Sequence, residues 1–502
     1  MCHGLRNEPL VIAVDFGTQG VKAMCLDTLG RIHASVYKEY PTLHPRDGWA
    51  EQDPKQWLEA LKDVLKSMEA SDPSAYTQVQ AICVTGQMHG LVLLDPSLEP
   101  LGNCIIWADT RCINEMEELR CHSETILRAS CSPLATAYSL PKMVWWTRNH
   151  DIDLVEHVLF PKDFINFYLT GKIVTDFSDA SGSQFFDVHK GQWCERLVSL
   201  SGLKTRVLPE VLEAGTEIGT LLPGVARDLN LPEDTRVFLG AGDLATGLLG
   251  LGVSRPGRMG VLVGTSGQVM YLGDGVPPEL LGKAYTFRSV QKDRFLFLAS
   301  TASAGYCLKW MRDTIGEREV RKARLQATTA YEVLLEEAFG RPSMPSLIFL
   351  PYLMGTGSPH FDSRTRACFI GLGPEHQKAD LIRSVVEGIT YSLKDCIDLF
   401  GGACDIVTIG GGATRSARWN QLMADVFGVL VQTVHVADAS CFGAGLLALV
   451  GLGFFTNLED ATEACIHPKD VFRPDKDEVA FHDKKLKKYR EAYHSLQSWF
   501  AQ

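Results

Sequence analysis

The sequence predicts an α/β protein made of two related halves that face a shared central cleft. Three features predict it. Residues 10–14 read as a buried strand that ends in the turn Asp15-Phe16-Gly17-Thr18-Gln19-Gly20, and extended character resumes over residues 21–26. The same order of strand, Gly-Thr/Ser turn and strand returns at residues 261–263, Gly264-Thr265-Ser266-Gly267 and residues 269–272. Between them, the apolar run at 236–239 passes through Gly240-Ala241-Gly242 to one carboxylate, Asp243, at the start of a small-residue helical segment. At 502 residues the chain exceeds what one core usually supports, and the second organisation begins near Leu251, so the expected domains are residues 1–254 and 255–502.

Each element follows from its local pattern. After the first hairpin, residues 53–68 have helical spacing, with Pro54 in the first turn and Trp57, Leu58, Leu61 and Leu65 along one side. Residues 79–85 form a strand that delivers Gly86-Gln87-Met88-His89-Gly90, and another strand at 104–107 delivers Ala108-Asp109-Thr110-Arg111. Helices are expected at 113–119, from Leu140 through Trp146, and around 160–168; the polar stretch 176–182 reads as a loop and helix start. In the second half, strands at 295–298 and 347–353 and helical stretches at 305–311, 317–335 and 378–399 lead to the strand 406–409. That strand enters Gly410-Gly411-Gly412-Ala413. Helices at 419–427 and 439–453, the latter rich in small residues, and a charged helix at 484–500 complete the chain.

Composition narrows the function. Apolar residues at 45% and charged residues at 22% describe a globular protein. A net charge of −11, with no Lys/Arg block, argues against nucleic-acid binding. The 14 cysteines lack a Cys-x-x-Cys pair or ligand-spaced cluster, which fits single buried thiols in a reducing compartment. Residues 1–9 are short and polar without a signal pattern, and no apolar run reaches membrane-spanning length, so the expected location is the cytoplasm, away from membranes.

The candidate chemistry gathers at the turns. Gly17 and Gly20 lie between two strands, which excludes the strand–turn–helix of a dinucleotide fold and leaves a phosphate loop or a structural turn. In the first case Thr18 and backbone N–H groups bond phosphate oxygens, Asp15 holds a metal directly or through water, and Lys22 adds positive charge unless it is a solvated surface residue. Gly264 to Gly267 offer a second such loop, and Gly410 to Ala413 give flat access to an adenine nucleotide or a close helix crossing. Asp243 is either a general base at a cleft or a helix cap. Met88 and His89 contact a ligand or fill the core.

With these motifs in place, the chain resembles the FGGY family of carbohydrate kinases over almost its whole length, and within that family most resembles the branch that phosphorylates D-xylulose. The resemblance rests on Asp15-x-Gly17-Thr18-x-Gly20, Trp49-Ala50-Glu51-Gln52-Asp53-Pro54, Gly86-Gln87-Met88-His89-Gly90, Trp107-Ala108-Asp109-Thr110-Arg111, Gly242-Asp243 and Gly410-Gly411-Gly412, with a later segment from Phe369 to Gly388. It implies two ribonuclease-H-like, actin-like domains closing on ATP and a ketose, with Mg2+ as cofactor and a homodimer as assembly. It implies Asp243 as general base and sugar contact, Met88, His89 and Asp109 as sugar-binding residues, and Gly17, Thr18, Lys22, Gly264, Thr265, Ser266, Gly267, Gly410, Gly411, Gly412 and Ala413 as nucleotide residues. Two departures bear on the substrate. Leu244 stands where Asn commonly follows the catalytic Asp, and Gly355-Thr356-Gly357-Ser358-Pro359-His360 stands where Gly-Glu-Arg-Thr-Pro-His is usual. Ribulose, L-xylulose and erythritol are therefore alternative acceptors, and an actin-like ATPase or a sugar-binding regulator are the competing classes.

Overall fold

In the computed structural model, which describes residues 9–401, 404–436 and 438–502, the apolar runs become two sheets with the same plan. β1 (Leu10–Phe16) is buried along almost its whole length and lies at the centre of the first sheet. It pairs antiparallel with β2 (Gly20–Leu26), which pairs antiparallel with β3 (Ile32–Glu39). On its other side β1 runs parallel to β4 (Val79–Gly86), which runs parallel to β6 (Arg236–Gly242), with β5 (Glu217–Thr220) antiparallel at the edge. The outermost strand β3 is mostly exposed, whereas the central strands are not.

The second sheet repeats this order and polarity. β7 (Arg258–Val263) pairs antiparallel with β8 (Gly267–Gly273), and β8 pairs antiparallel with β10 (Phe295–Thr301), which carries β9 (Tyr285–Arg288) as an added edge. β7 runs parallel to β11 (Ile406–Gly411), β11 parallel to β12 (Leu430–Val434), and β13 (Pro468–Phe472) closes the other edge antiparallel. The weak likeness between the two Gly-Thr turns is therefore a likeness of whole topologies. Each turn joins the first two strands of its sheet.

Two small-residue helices bind the halves together. α4 (Asp243–Gly250) follows β6, and α8 (Ala439–Gly451) follows β12. They cross so closely that a Cβ on Gly443 would sit 2.0 Å from the carbonyl oxygen of Thr246, and one on Gly250 would sit 1.9 Å from that of Ala439. α8 packs on the first sheet, where Cys441, Ala444 and Leu446 share one apolar cluster with Val11, Ala13 and Met24. Near the end of α4, Leu248 and Leu251 approach Gly260 of the second sheet. A core common to both halves thus lies under the cleft.

The remaining elements match their patterns with some differences. α1 (Pro54–Ser71) has Asp53 as its cap and buries Trp57, Leu61 and Leu65. α2 (Pro161–Thr170) and α3 (Phe177–Ser181) pack behind β4 and β6. The stretch 176–182 starts a helix as expected, with Asp176 capping α3, and all of it but the half-buried Phe177 is buried, because its charges pair inside the protein. The strand expected to reach Trp107 ends at Ile105. The charged stretch 317–335 divides into Glu317–Gln326 and a capped helix beginning at Ala330, with Ala327 left-handed at the break. α5 (Gly305–Ile315), α6 (Lys378–Leu399) and α7 (Ala417–Phe427) follow their patterns. The terminal helix starts earlier than expected, at Lys476, capped by Asp475.

Among the described residues no helix is long and apolar enough to cross a membrane. The cysteines described are unbridged, and all but Cys121, Cys194 and Cys368 are buried. The reading of the amino terminus rests on residues 1–8, which lie outside the described residues.

Candidate active site

β6 delivers Asp243 as the first residue of α4, while the cap position is held by Gly242, which has no side chain to offer. The Asp243 carboxylate accepts the N–H of Leu244 at 2.8 Å and none from the next turn of the helix. It is therefore not a capping side chain. Burial pushes its pKa up to about 7, against the lowering effect of backbone N–H groups. A carboxyl group in that range exchanges protons at physiological pH, which a surface aspartate does not. Leu244 itself is half-buried against the apolar cluster shared by the halves.

Asp15, the next-to-last residue of β1, lies opposite Lys22 of β2 in the antiparallel register. Among the described residues its buried Oδ1 has no hydrogen-bond partner. Burial, then Asp438 and Asp243, hold its pKa well above the carboxylate range, and Lys22 opposes them. Asp438 caps α8 through the N–H of Cys441 and pairs with Lys22 at 3.3 Å, so Lys22 bridges the halves rather than standing free in solvent. Ser440, two residues on, donates to the backbone oxygen of Asp243 at 2.9 Å. Among the described residues no three His, Cys, Asp or Glu side chains form a ready-made metal cage. The orphaned oxygen of Asp15 fits Mg2+ nonetheless, because that ion takes one or two carboxylates and fills its other positions with water and phosphate oxygens.

The turn after Asp15 is held from several sides. Gly17 N–H donates to the oxygen of Gly20 at 3.0 Å, and the hydroxyl of Tyr40 donates to the oxygen of Gly17. The carbonyl of Thr18 accepts Gln52 Nε2 at 2.7 Å, and its Oγ1 accepts the indole N–H of Trp107 at 2.8 Å. The Trp49–Pro54 and Trp107 motifs thus brace the turn from outside.

Met88 packs against Gly242, the residue before Asp243, and both Met88 and His89 pack against Gly182. A Cβ on Gly242 would meet the Met88 side chain at 2.5 Å, so only glycine permits this approach. His89 is a non-glycine residue at φ 68°. That backbone costs on the order of 1–3 kcal/mol. Its carbonyl accepts Lys142 Nζ at 2.9 Å and Ser139 Oγ at 3.2 Å, which hold it in place. The ring is packed edge-on against Tyr138, with Nδ1 bonded to the oxygen of Gly182 at 2.6 Å. Burial lowers its pKa to about 3, so the imidazole is neutral. With Nδ1–H donating to Gly182, Nε2 is left as an acceptor.

Asp109 is a correction. It is fully buried, and its carboxylate accepts Ala50 N–H at 2.6 Å, Arg111 N–H at 2.9 Å and the Arg111 guanidinium at 2.7 Å. No lone pair is left for a sugar. Arg111 in turn lies over Trp49 at 3.6 Å and pairs with Glu51, so this group fixes the loop behind the first turn.

The second-half turns converge on a cavity of about 670 Å3. Gly264, Thr265, Gly412 and Ala413 line it, together with Tyr306, Tyr331, Arg415 and Trp419. That volume suits a nucleotide. Ser266 and Gly267 are not among the lining residues; Gly267 is buried where β8 begins, against Leu393 and Thr301. Gly410 and Gly411 also have structural reasons to be glycine: a Cβ on Gly410 would meet Leu262 at 2.4 Å, and Gly411 has φ 81°. The departing loop 355–360 is tied by its backbone, with Ser358 N–H on the oxygen of Ser300 at 2.8 Å, and Asp362 pairs with Arg364 beside it.

Comparison with known proteins decides the family. Residues 10–250 match the N-terminal domain, and residues 259–452 the C-terminal domain, of the FGGY family of carbohydrate kinases. The chain belongs to this family. It is 32% identical to the xylulose kinase of Bacillus subtilis over 475 residues, which is 92% of each chain. The ligand-bound xylulose kinase of Lactobacillus acidophilus superimposes with a TM-score of 0.90 at 26% identity, covering 98% of this chain and 99% of that one. A gluconate kinase of the same organism gives the same TM-score and identity over 97% and 98%. As an FGGY kinase the protein is a carbohydrate kinase that uses ATP.

Several groups of this site escaped sequence reasoning. Asp438 had a weak signal, an acidic residue just ahead of a small-residue helix. Lys142 and Lys162 had none, since a lysine in a helix normally reads as solvent-facing and both are fully buried here. Tyr306, Tyr331 and Arg415 reach the cavity beside Gly264 and Gly412 from helices and turns whose inward faces only the packing reveals.

Proposed function

We propose that this FGGY kinase transfers the γ-phosphoryl group of ATP to the terminal hydroxyl of D-xylulose, giving D-xylulose 5-phosphate. The observation that carries the mechanism is Asp243, a buried carboxyl whose pKa is pushed up to about 7 at the head of α4, one residue after the Gly242 on which Met88 packs. The sugar O–H bond breaks toward the Asp243 carboxylate while its oxygen bonds the γ-phosphorus and the bond to the β–γ bridging oxygen breaks, releasing ADP. Nε2 of neutral His89 accepts a second sugar hydroxyl, and Met88 packs along the carbon chain. Asp15, with Asp243 and Asp438 nearby, would hold Mg2+, which when bound neutralises charge developing on the phosphates. Gly17 and Thr18 face the transferring phosphate, and Gly264, Thr265, Gly412 and Ala413 the rest of the nucleotide. Closure of the two halves over both substrates excludes water that would otherwise hydrolyse ATP. Their matching strand orders support a ribonuclease-H-like, actin-like type for each.

D-Xylulose is favoured by the xylulose kinases, which align over nearly the whole chain. A different ketopentose, a polyol or a sugar acid is the second reading, supported by apolar Leu244 beside the base and by the equal likeness to a gluconate kinase. The test is kcat/KM with Mg-ATP for D-xylulose, D-ribulose, L-xylulose, erythritol and gluconate. A clear maximum at D-xylulose supports the reading; a maximum elsewhere moves the substrate while leaving the kinase chemistry intact.

A further inference from the structure

Directly behind the Gly242–Asp243 turn lies a group of charges sealed from water. Lys162 Nζ sits 2.5 Å from Asp163 Oδ1, 2.9 Å from Asp176 Oδ1 and 3.0 Å from Asp179 Oδ2, and none of the four side chains is more than 1% exposed. Stability alone does not account for it, because replacing buried ion groups by apolar residues is often neutral or stabilising. The group connects outward toward Asp243. Asp176 Oδ2 accepts the hydroxyl of Ser178 at 2.5 Å, and Ser178 Oγ accepts the N–H of Gly242 at 2.9 Å. A backbone N–H can only donate, so the serine proton must point at Asp176. Lys162 holds the other oxygen of that carboxylate and so fixes its plane.

We propose that Lys162, Asp176 and Ser178 are positioning residues for Asp243, a relay that pins the Gly242 peptide and thereby aims the carboxylate at the sugar hydroxyl. The other end of the same peptide is pinned as well, its Ala241 oxygen accepting Thr85 Oγ1 at 2.6 Å, so the peptide entering Gly242 is clamped at both its N–H and its C=O. Burial and the neighbouring Asp176 and Asp163 carboxylates push Asp179 up, and Lys162 opposes them. The inference rests on the reading of Asp243 as general base.

The test is Ser178→Ala. We expect kcat to fall about tenfold to hundredfold, the loss a displacement of about 1 Å produces, with sugar and ATP KM within about threefold. The acid limb of the kcat–pH profile should move from near 7 toward the ordinary carboxylate range as water reaches the loosened turn. Wild-type kcat with an unmoved acid limb overturns the proposal, since a purely structural serine would change thermal stability alone. If that variant does not fold, Asp176→Asn carries the same two readouts. In the unaltered protein the Gly242 amide should exchange with deuterium as slowly as the core of β6; fast exchange overturns the relay without any substitution. Asp243→Asn separates the two ideas: its inactivity together with normal Ser178→Ala turnover removes the relay only, whereas full activity of Asp243→Asn removes the base.

Discussion

Asp243→Asn should nearly abolish turnover and at the same time stabilise the protein. The substitution keeps the side chain's size and its acceptor for the Leu244 N–H but removes the ionisable group. A general base contributes about 100-fold to 10,000-fold, or roughly 3–5 kcal/mol of barrier, so kcat should fall by at least that range while sugar affinity changes little. The stability effect follows from the same burial. Folding raises this carboxyl from 3.8 to about 7. The folded state therefore binds more protons than the unfolded one across that window, and stability is lost as pH rises through it. At about 1.4 kcal/mol per pH unit, the ionised group costs up to roughly 4 kcal/mol above pH 7. The Asn variant is spared that loss, so its Tm advantage should be small at pH 4 and grow to a plateau near pH 8. Steady-state ADP release, sugar titration calorimetry and thermal unfolding at pH 4, 6 and 8 on one preparation measure all three. Near-wild-type kcat with chemistry rate-limiting, or a Tm difference that does not grow with pH, would refute the reasoning.

Three further outcomes follow. Asp15→Asn should shift half-saturation by Mg2+ upward by about tenfold or more while the fold persists, because the negative charge that would hold the ion is lost; an unchanged Mg2+ titration removes its metal role. His89→Ala should lower kcat/KM for the preferred sugar about tenfold to hundredfold, with ATP KM within about twofold. Since His89 is already neutral, the acid limb near pH 7 should stay in place in that variant, and a limb that disappears would assign it to His89 instead. Gly412→Val, which pushes a branched side chain into the nucleotide cavity, should raise ATP KM by about tenfold or more with sugar KM unchanged; equal effects on both substrates would place the cavity elsewhere in the reaction.

Much of this architecture was legible because it is written in local patterns. The two Gly-Thr turns mark the first hairpin of each sheet, and the apolar runs at 10–14, 79–85 and 236–239 mark its buried parallel strands. Asp243 stood out as a lone carboxylate at a strand-to-helix turn, and Gly264, Thr265, Gly412 and Ala413 as turn residues that share one cavity. What was not legible depends on packing at long sequence separation. Asp109 resembled a cleft residue, yet Arg111, two positions on, and Ala50, far back in the chain, consume its carboxylate. The stretch 176–182 read as a loop and helix start, and its burial was not legible because three-dimensional pairing with Lys162 has no signature in a single sequence. Asp438 joins the site only because α8 crosses from the second half onto the first sheet, and that crossing is announced by nothing more than a run of small residues. Gly410 and Gly411 show the converse, glycines that invited a ligand reading and are accounted for by strand packing and a left-handed backbone.

The most direct test of the account is ADP release from Mg-ATP with and without D-xylulose, with the sugar product identified in the same reaction by phosphorus NMR. A kinase built around Asp243 and a closing cleft should release ADP slowly alone, accelerate by orders of magnitude when the ketose is added, and yield one phosphomonoester on the terminal carbon for each ADP formed. Full-rate ADP release without any acceptor, with inorganic phosphate as the product, would contradict it.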